Sequence, residues 1–106
     1  MIYFIRESSG EHVKIGYTHK NVVSRLSDLQ VGNPRDLIIE AVHPGGRKIE
    51  RLLHKAFKPY AIRGEWFVYA DIIRAYASQA RTIPYIDTKG VSSSDLIEYM
   101  YNWMAL

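Results

Sequence analysis

Three polar residues stand at the borders of apolar helical stripes, where chemistry is best supported. On a wheel for residues 47–59, advancing about 100° per residue, Glu50 falls just outside the stripe of Ile49, Leu52, Leu53, Ala56 and Phe57. His54 lies on the same side one turn later, and Arg25 sits beside Leu29 at the edge of an earlier stripe. Border groups are partly desolvated and held by packing, as catalytic groups need to be. Each also has a plainer role. Glu50 suits a surface i, i+4 partner of His54, Arg25 suits snorkelling over the core, and His54 suits a packed, hydrogen-bonded position. Tyr3 in a first strand suits packing, and Lys14 in a second strand suits solvent. Arg47, Arg51, Lys55 and Lys58 fall on the opposite helix face, where a solvated role is expected.

Other chemistries find no support. There is no cysteine, so a thiol nucleophile, a disulfide scaffold and a Cys-based zinc site are excluded. No Gly-rich phosphate loop and no HExxH occur, and His12, His19, His43 and His54 lack metal-ligand spacing. No paired carboxylates stand close in sequence, which argues against a two-metal site built on clustered Asp and Glu.

The elements that must position these groups follow from periodicity and turn signals. Tyr3-Phe4-Ile5 and Val13-Lys14-Ile15-Gly16-Tyr17 are short strands joined by Ser8-Ser9-Gly10-Glu11, a hairpin pattern. Alternation puts Lys14 and Gly16 on one face and Val13, Ile15 and Tyr17 on the other. The spacing predicts a helix from about Asn21 to Val31, with Val22, Val23, Leu26 and Leu29 as its stripe and Gly32-Asn33-Pro34 as its stop. A third strand covers Leu37 to Val42, and a second helix runs from about Arg47 to Pro59. Arg63 to Val68 is a turn entering a short strand, and a third helix after Asp71 carries Ile72, Ile73, Tyr76 and Ala77. Residues 82–91 are irregular. Ser92-Ser93-Ser94-Asp95 resembles a capping box before a last helix striped by Leu96, Tyr99, Met100, Trp103 and Met104.

The 106 residues fit one domain, and eight Tyr, two Trp and three Phe among many aliphatics can bury a core, which excludes intrinsic disorder. The net charge of +3 is unevenly placed: residues 1–70 carry 11 basic and 7 acidic side chains, residues 71–106 carry 3 and 4. A basic first part favours a polyanion partner, nucleic acid above all. No apolar run approaches the ~20 residues of a membrane span. The opening residues read as a strand rather than a signal peptide, and the absence of cysteine suits a cytoplasmic setting.

Taken in order, Tyr3-Phe4-Ile5, Val13-Lys14-Ile15-Gly16, Arg25-Leu26, Leu29 to Pro34, Glu50-Arg51-Leu52-Leu53-His54 with Phe57, and Arg63-Gly64-Glu65-Trp66-Phe67 form a specific pattern. The chain resembles the GIY-YIG endonuclease superfamily, and within it the phage open-reading-frame and meiotically up-regulated-gene type domains. The resemblance covers residues 2 to about 70; residues 71–106 match nothing nameable. It implies an α/β (α+β) fold, a small three-stranded antiparallel sheet flanked by helices. The nuclease-like domain would span 1–70, followed by a helical extension over 71–106.

The resemblance further implies a metal-dependent cut in a nucleic-acid phosphodiester, with DNA as the expected partner. Tyr3 matches the tyrosine of the first half-motif, Arg25 the helix arginine and Glu50 the metal-binding glutamate. Lys14 stands where many members have tyrosine, a departure that also occurs within this branch. The residue types suit the reaction. A forked, always-charged Arg25 stabilises charge on non-bridging oxygens. Mg²⁺ (or Mn²⁺) accepts a single carboxylate, Glu50, beside waters and a substrate phosphate. A deprotonated Tyr3, or Lys14 lowering the pKa values around it, takes the proton from an attacking water. His54 is expected to support Glu50 or to pack on Trp66, and Glu65 is a further polar candidate. The competing functions are a nucleic-acid-binding module without cleavage and a protein-interaction subunit. For the latter, the helix over 92–104 would dock on a partner; its plainer role is to pack on its own domain or make a homodimer.

Overall fold

The computed structural model describes residues 1–80. Its elements are β1 (Ile2–Glu7), β2 (His12–Tyr17), α1 (Val22–Gln30), β3 (Leu37–His43), α2 (Arg47–Ala56), a 3₁₀ turn (Lys58–Tyr60), β4 (Ala61–Arg63), β5 (Trp66–Val68) and α3 (Asp71–Gln79). All strands join one antiparallel sheet in the order β3-β1-β2-β5-β4. The mixed class is as expected, but the sheet has five strands rather than three. The two strands beyond the three that the resemblance implies are a tight hairpin turning at Gly64, whose φ of +56° favours glycine; β5 is the short strand that the Arg63–Val68 pattern predicts, and β4 is the unanticipated one. This hairpin extends the edge of β2. All three residues of β4 are exposed, so it carries no hydrophobic alternation that a sequence reading can detect.

β1 and β2 form the expected hairpin, closed at Gly10, where φ is +76°. Register places Tyr3 opposite Gly16 and Ile5 opposite Lys14, so all four share a face. The other face holds Ile2, Phe4, Val13, Ile15 and Phe67 and packs under Ile49, Leu53 and Phe57 from the α2 region and Ile73, Tyr76 and Ala77 from α3. Burying each such aliphatic or aromatic side chain contributes roughly 1.5–3 kcal/mol, so α2 and α3 are tied to the sheet by several independent contacts. The Tyr3 face carries a thinner layer: Tyr3, Ile5 and Leu37 are buried beneath Val22, Leu26 and Leu29 of α1, with Trp66 at the margin.

Details of the helices differ from expectation. Val23 is 62% exposed and leaves the α1 stripe, and Ile72 of α3 faces solvent while Ala80 joins the core. The α-helical part of α2 stops at Ala56, and the chain continues as the 3₁₀ turn containing Pro59. Proline has no N–H to continue the α-helical ladder. The helix expected over 92–104 and its capping box lie outside the described residues.

Candidate active site

Tyr3 is fully buried, and its ring lies across β2 at Gly16. A Cβ at position 16 would stand 2.3 Å from the Tyr3 hydroxyl oxygen and 2.4 Å from Cζ. Glycine is therefore required here by close approach, so that a phenol from β1 can reach across the next strand. Arg25, from the middle of α1, donates through Nε–H to the Tyr3 hydroxyl at 3.4 Å. The helix arginine and the strand tyrosine are thus brought together as the sequence pattern implies.

Glu50 belongs to α2, which packs on the opposite face of the sheet. β5 pairs with β2 only over His12–Lys14, so β2 beyond Lys14 becomes an edge. There the Ile15 N–H donates to the Glu65 carbonyl at 3.0 Å, and the Ile15 carbonyl accepts from His54 Nε2 at 2.7 Å. Because a carbonyl only accepts, Nε2 carries the imidazole proton. The His54 ring also meets Phe67 edge-on, centroids 5.1 Å apart. His54 therefore contacts Ile15 and Phe67. It fastens α2 to the open half of β2, and Glu50 lies one turn earlier on the same helix. The half-buried Glu50 acts electrostatically on Tyr3. No ion pair to Glu50 forms among the described residues.

The electrostatics of Tyr3 depart from the sequence expectation of a lowered pKa. Burial pushes the phenol up; the hydrogen bond from Arg25 pulls it down, the Glu65 charge raises it, and the smaller effects of Arg25 and Glu50 oppose each other. The net direction is upward, because a buried phenolate loses its hydration. Lys14 does not approach Tyr3 as a free ammonium. Its Nζ pairs with Glu65 at 3.2 Å and lies 5.6 Å from the centroid of Trp66. Glu65, in the sequence only a further polar candidate, is thereby tied to both Lys14 and Tyr3.

A cleft of about 200 Å³ opens beside Arg25, lined by Tyr17, Thr18, His19, Lys20, Arg25 and Arg47. Arg47 stacks on Tyr17, 5.4 Å from the ring centroid, and Lys20 pairs loosely with Asp28 at 3.7 Å. Among the described residues no carboxylate lines the cleft, so it suits an anion such as phosphate. Arg47 and Lys20 were missed as site residues by wheel reasoning, which places Arg47 on a solvated face. A signal was present: Lys20 precedes the N-cap Asn21 of α1, and Arg47 opens α2. Cations at helix N-termini oppose the helix dipole, so their placement is unfavourable for helix stability.

The donor set for a metal is sparse. Among the described residues no three His, Cys, Asp or Glu side chains gather into a metal cage. A single unpaired carboxylate, Glu50, fits a Mg²⁺-type ion that retains waters and takes a further oxygen from a substrate phosphate; it does not fit a protein-only zinc or calcium site.

Among curated proteins and solved structures no match is found. The T5orf172 domain matches residues 1–83, a span that takes in Tyr3, Lys14, Arg25, Glu50 and all of α3. On that match the chain belongs to the T5orf172 domain family, which is related to GIY-YIG and phage-type endonuclease-like folds.

Proposed function

We propose that the chain is a divalent-metal-dependent endonuclease that hydrolyses phosphodiester bonds in nucleic acid, DNA in the first instance. The observation that carries this reading is the convergence of Arg25 on the buried Tyr3, whose ring needs Gly16, with the half-buried Glu50 of α2 near enough to act electrostatically on that phenol. These residues come from β1, β2, α1 and α2, and packing alone does not call for that combination of polar types.

In this reading the cleft of Arg25, Arg47 and Lys20 binds the phosphate backbone, and Arg25 stabilises charge on the phosphoryl oxygens. Mg²⁺ or Mn²⁺ bound at Glu50 supplies Lewis-acid polarisation of the phosphate. Glu50 is one of the charges that keep the proton on Tyr3, so neutralising Glu50 favours the deprotonated phenol, the form that accepts a proton from an attacking water. Lys14 is held off Tyr3 by Glu65, and its role is to contact a phosphate after exchanging that partner. A nucleic-acid-binding module without cleavage is the second reading, favoured by the cationic cleft. Incubating a supercoiled plasmid with the chain and Mg²⁺ separates the two: the nuclease reading requires cutting that Glu50→Ala abolishes.

A further inference from the structure

A second cleft, of about 300 Å³, opens on the Tyr3 face beyond Lys14, lined by Glu7, His12, Asn33, Ile62, Arg63 and Trp66. It is chemically unlike the cationic cleft. Trp66 is half-buried, and Ile62 is a large apolar side chain left 51% exposed on the fully exposed strand β4. Glu7 already engages His12 at 3.2 Å and Arg35 at 2.9 Å. A carboxylate among the lining residues disfavours a phosphate. The remaining groups offer an aromatic ring, an aliphatic wall and mixed hydrogen-bonding side chains, which are the requirements of an uncharged heteroaromatic ring with polar edges.

The position of the cleft ties it to the site. Trp66 is the cross-strand neighbour of Lys14, and Lys14 is two residues, or about 7 Å of strand, from Gly16, over which Tyr3 lies. Lys14 Nζ lies over the Trp66 ring itself. A nucleotide with its base in this cleft therefore has its backbone beside Lys14, next to the residues assigned to the cut. A base stacked inside a duplex does not present its face to a concave cleft; an unpaired base does.

Building on the nuclease reading, we infer that the Trp66–Ile62 cleft is a nucleobase subsite, and that the preferred substrate carries an unpaired nucleotide next to the scissile phosphate. Aromatic stacking gives the affinity, and Asn33 and Arg63 supply edge contacts. The subsite makes the chain selective for nucleic-acid structure, such as a bulge, flap or single strand.

The test uses the full chain in chelator, so that binding is read without cutting. Fluorescence anisotropy compares three labelled probes: a paired duplex, the same duplex with one unpaired adenine, and the same duplex with an abasic residue in place of that adenine. The adenine bulge should bind about tenfold or more tighter than the abasic bulge, as one aromatic–base stack provides. Trp66→Leu should abolish that ratio and Trp66→Phe should retain most of it. Should Trp66→Leu fail to fold, Ile62→Asp, at an exposed position, carries the test and should lower the ratio likewise. Equal binding of adenine and abasic bulges by the wild type would overturn the subsite, as would a full ratio in folded Trp66→Leu or Ile62→Asp. The two readings fail separately. A chain that cleaves in Mg²⁺ but ignores the base refutes the subsite alone, and one that discriminates the base but never cleaves refutes the nuclease reading and supports the subsite.

Discussion

Replacing Gly16 by alanine tests whether the Tyr3 ring is placed by close approach to β2. The new Cβ would stand 2.3 Å from the hydroxyl oxygen, 2.4 Å from Cζ and 2.9 Å from Cε2 of Tyr3. Carbon contacts at rest lie near 3.5–4.0 Å, so the ring must move by roughly an ångström. Tyr3 is 0% exposed and sits among Ile5, Leu37 and the α1 side chains, which leaves little space for that movement. Overpacking of this kind typically costs ~1–3 kcal/mol. For a domain of this size each kcal/mol lowers Tm by about 4–8 °C, so Gly16→Ala should melt roughly 4–24 °C below the wild type. Tyr3→Phe will not relieve the clash, because Cζ stays. Tyr3→Leu removes every offending atom, so the two changes should couple favourably by at least ~0.5 kcal/mol in a double-mutant cycle. Urea unfolding monitored by circular dichroism measures all of these. A Gly16→Ala stability within ~0.5 kcal/mol of wild type, or a cycle with no coupling, would refute the argument.

Other substitutions probe the remaining contacts. His54→Leu leaves the Ile15 carbonyl without its partner and should cost ~1–3 kcal/mol in urea unfolding. It should also lower the cleavage rate, since Glu50 lies one turn earlier on the same helix. His43 is buried, with Nδ1 donating to the Pro44 carbonyl at 2.8 Å and Nε2 accepting from the Tyr76 hydroxyl at 3.0 Å, and burial holds its pKa below the ordinary histidine value of 6.5. The unfolded chain therefore takes up this proton first, and the contribution of His43 to stability is lost as pH falls from about 6.5 through the folded pKa. The slope is at most ~1.4 kcal/mol per pH unit for one proton, and His43→Phe should flatten it in pH-dependent melting. Arg25→Lys keeps the charge but loses the Nε–H bonded to Tyr3, so its cleavage rate should fall about 10²–10³-fold, the cost of one oxyanion donor; a wild-type rate would show that Arg25 only covers the core.

The parts of this structure that sequence made legible are those with local periodicity. The wheel of α2 isolates Glu50 and His54, and alternation in β2 puts Lys14 and Gly16 on one face, as the sheet register has it. What it missed depends on contacts distant in sequence. β4 is three exposed residues recruited by a hairpin, and has no pattern of its own. His54 is fixed by an edge carbonyl 39 residues away, which exists only because β5 ends early. Lys14 is paired with Glu65, whose charge raises the Tyr3 phenol, and the main cause of that upward shift is burial under a helix whose side chains are themselves only partly buried. The Arg47–Tyr17 stack and the cationic cleft require α1 and α2 to start at the same end of β2, which no local window contains.

The decisive measurement is plasmid nicking by the purified chain in Mg²⁺ or Mn²⁺, with and without chelator, beside Glu50→Ala at matched concentration. Glu50 lies outside the apolar core, so the variant should melt within ~0.5 kcal/mol of the wild type. The wild type should convert supercoiled to nicked or linear DNA only when the metal is present, and Glu50→Ala should leave the plasmid intact. Cutting by folded Glu50→Ala at the wild-type rate, or cutting that survives the chelator, would contradict the assignment of this site.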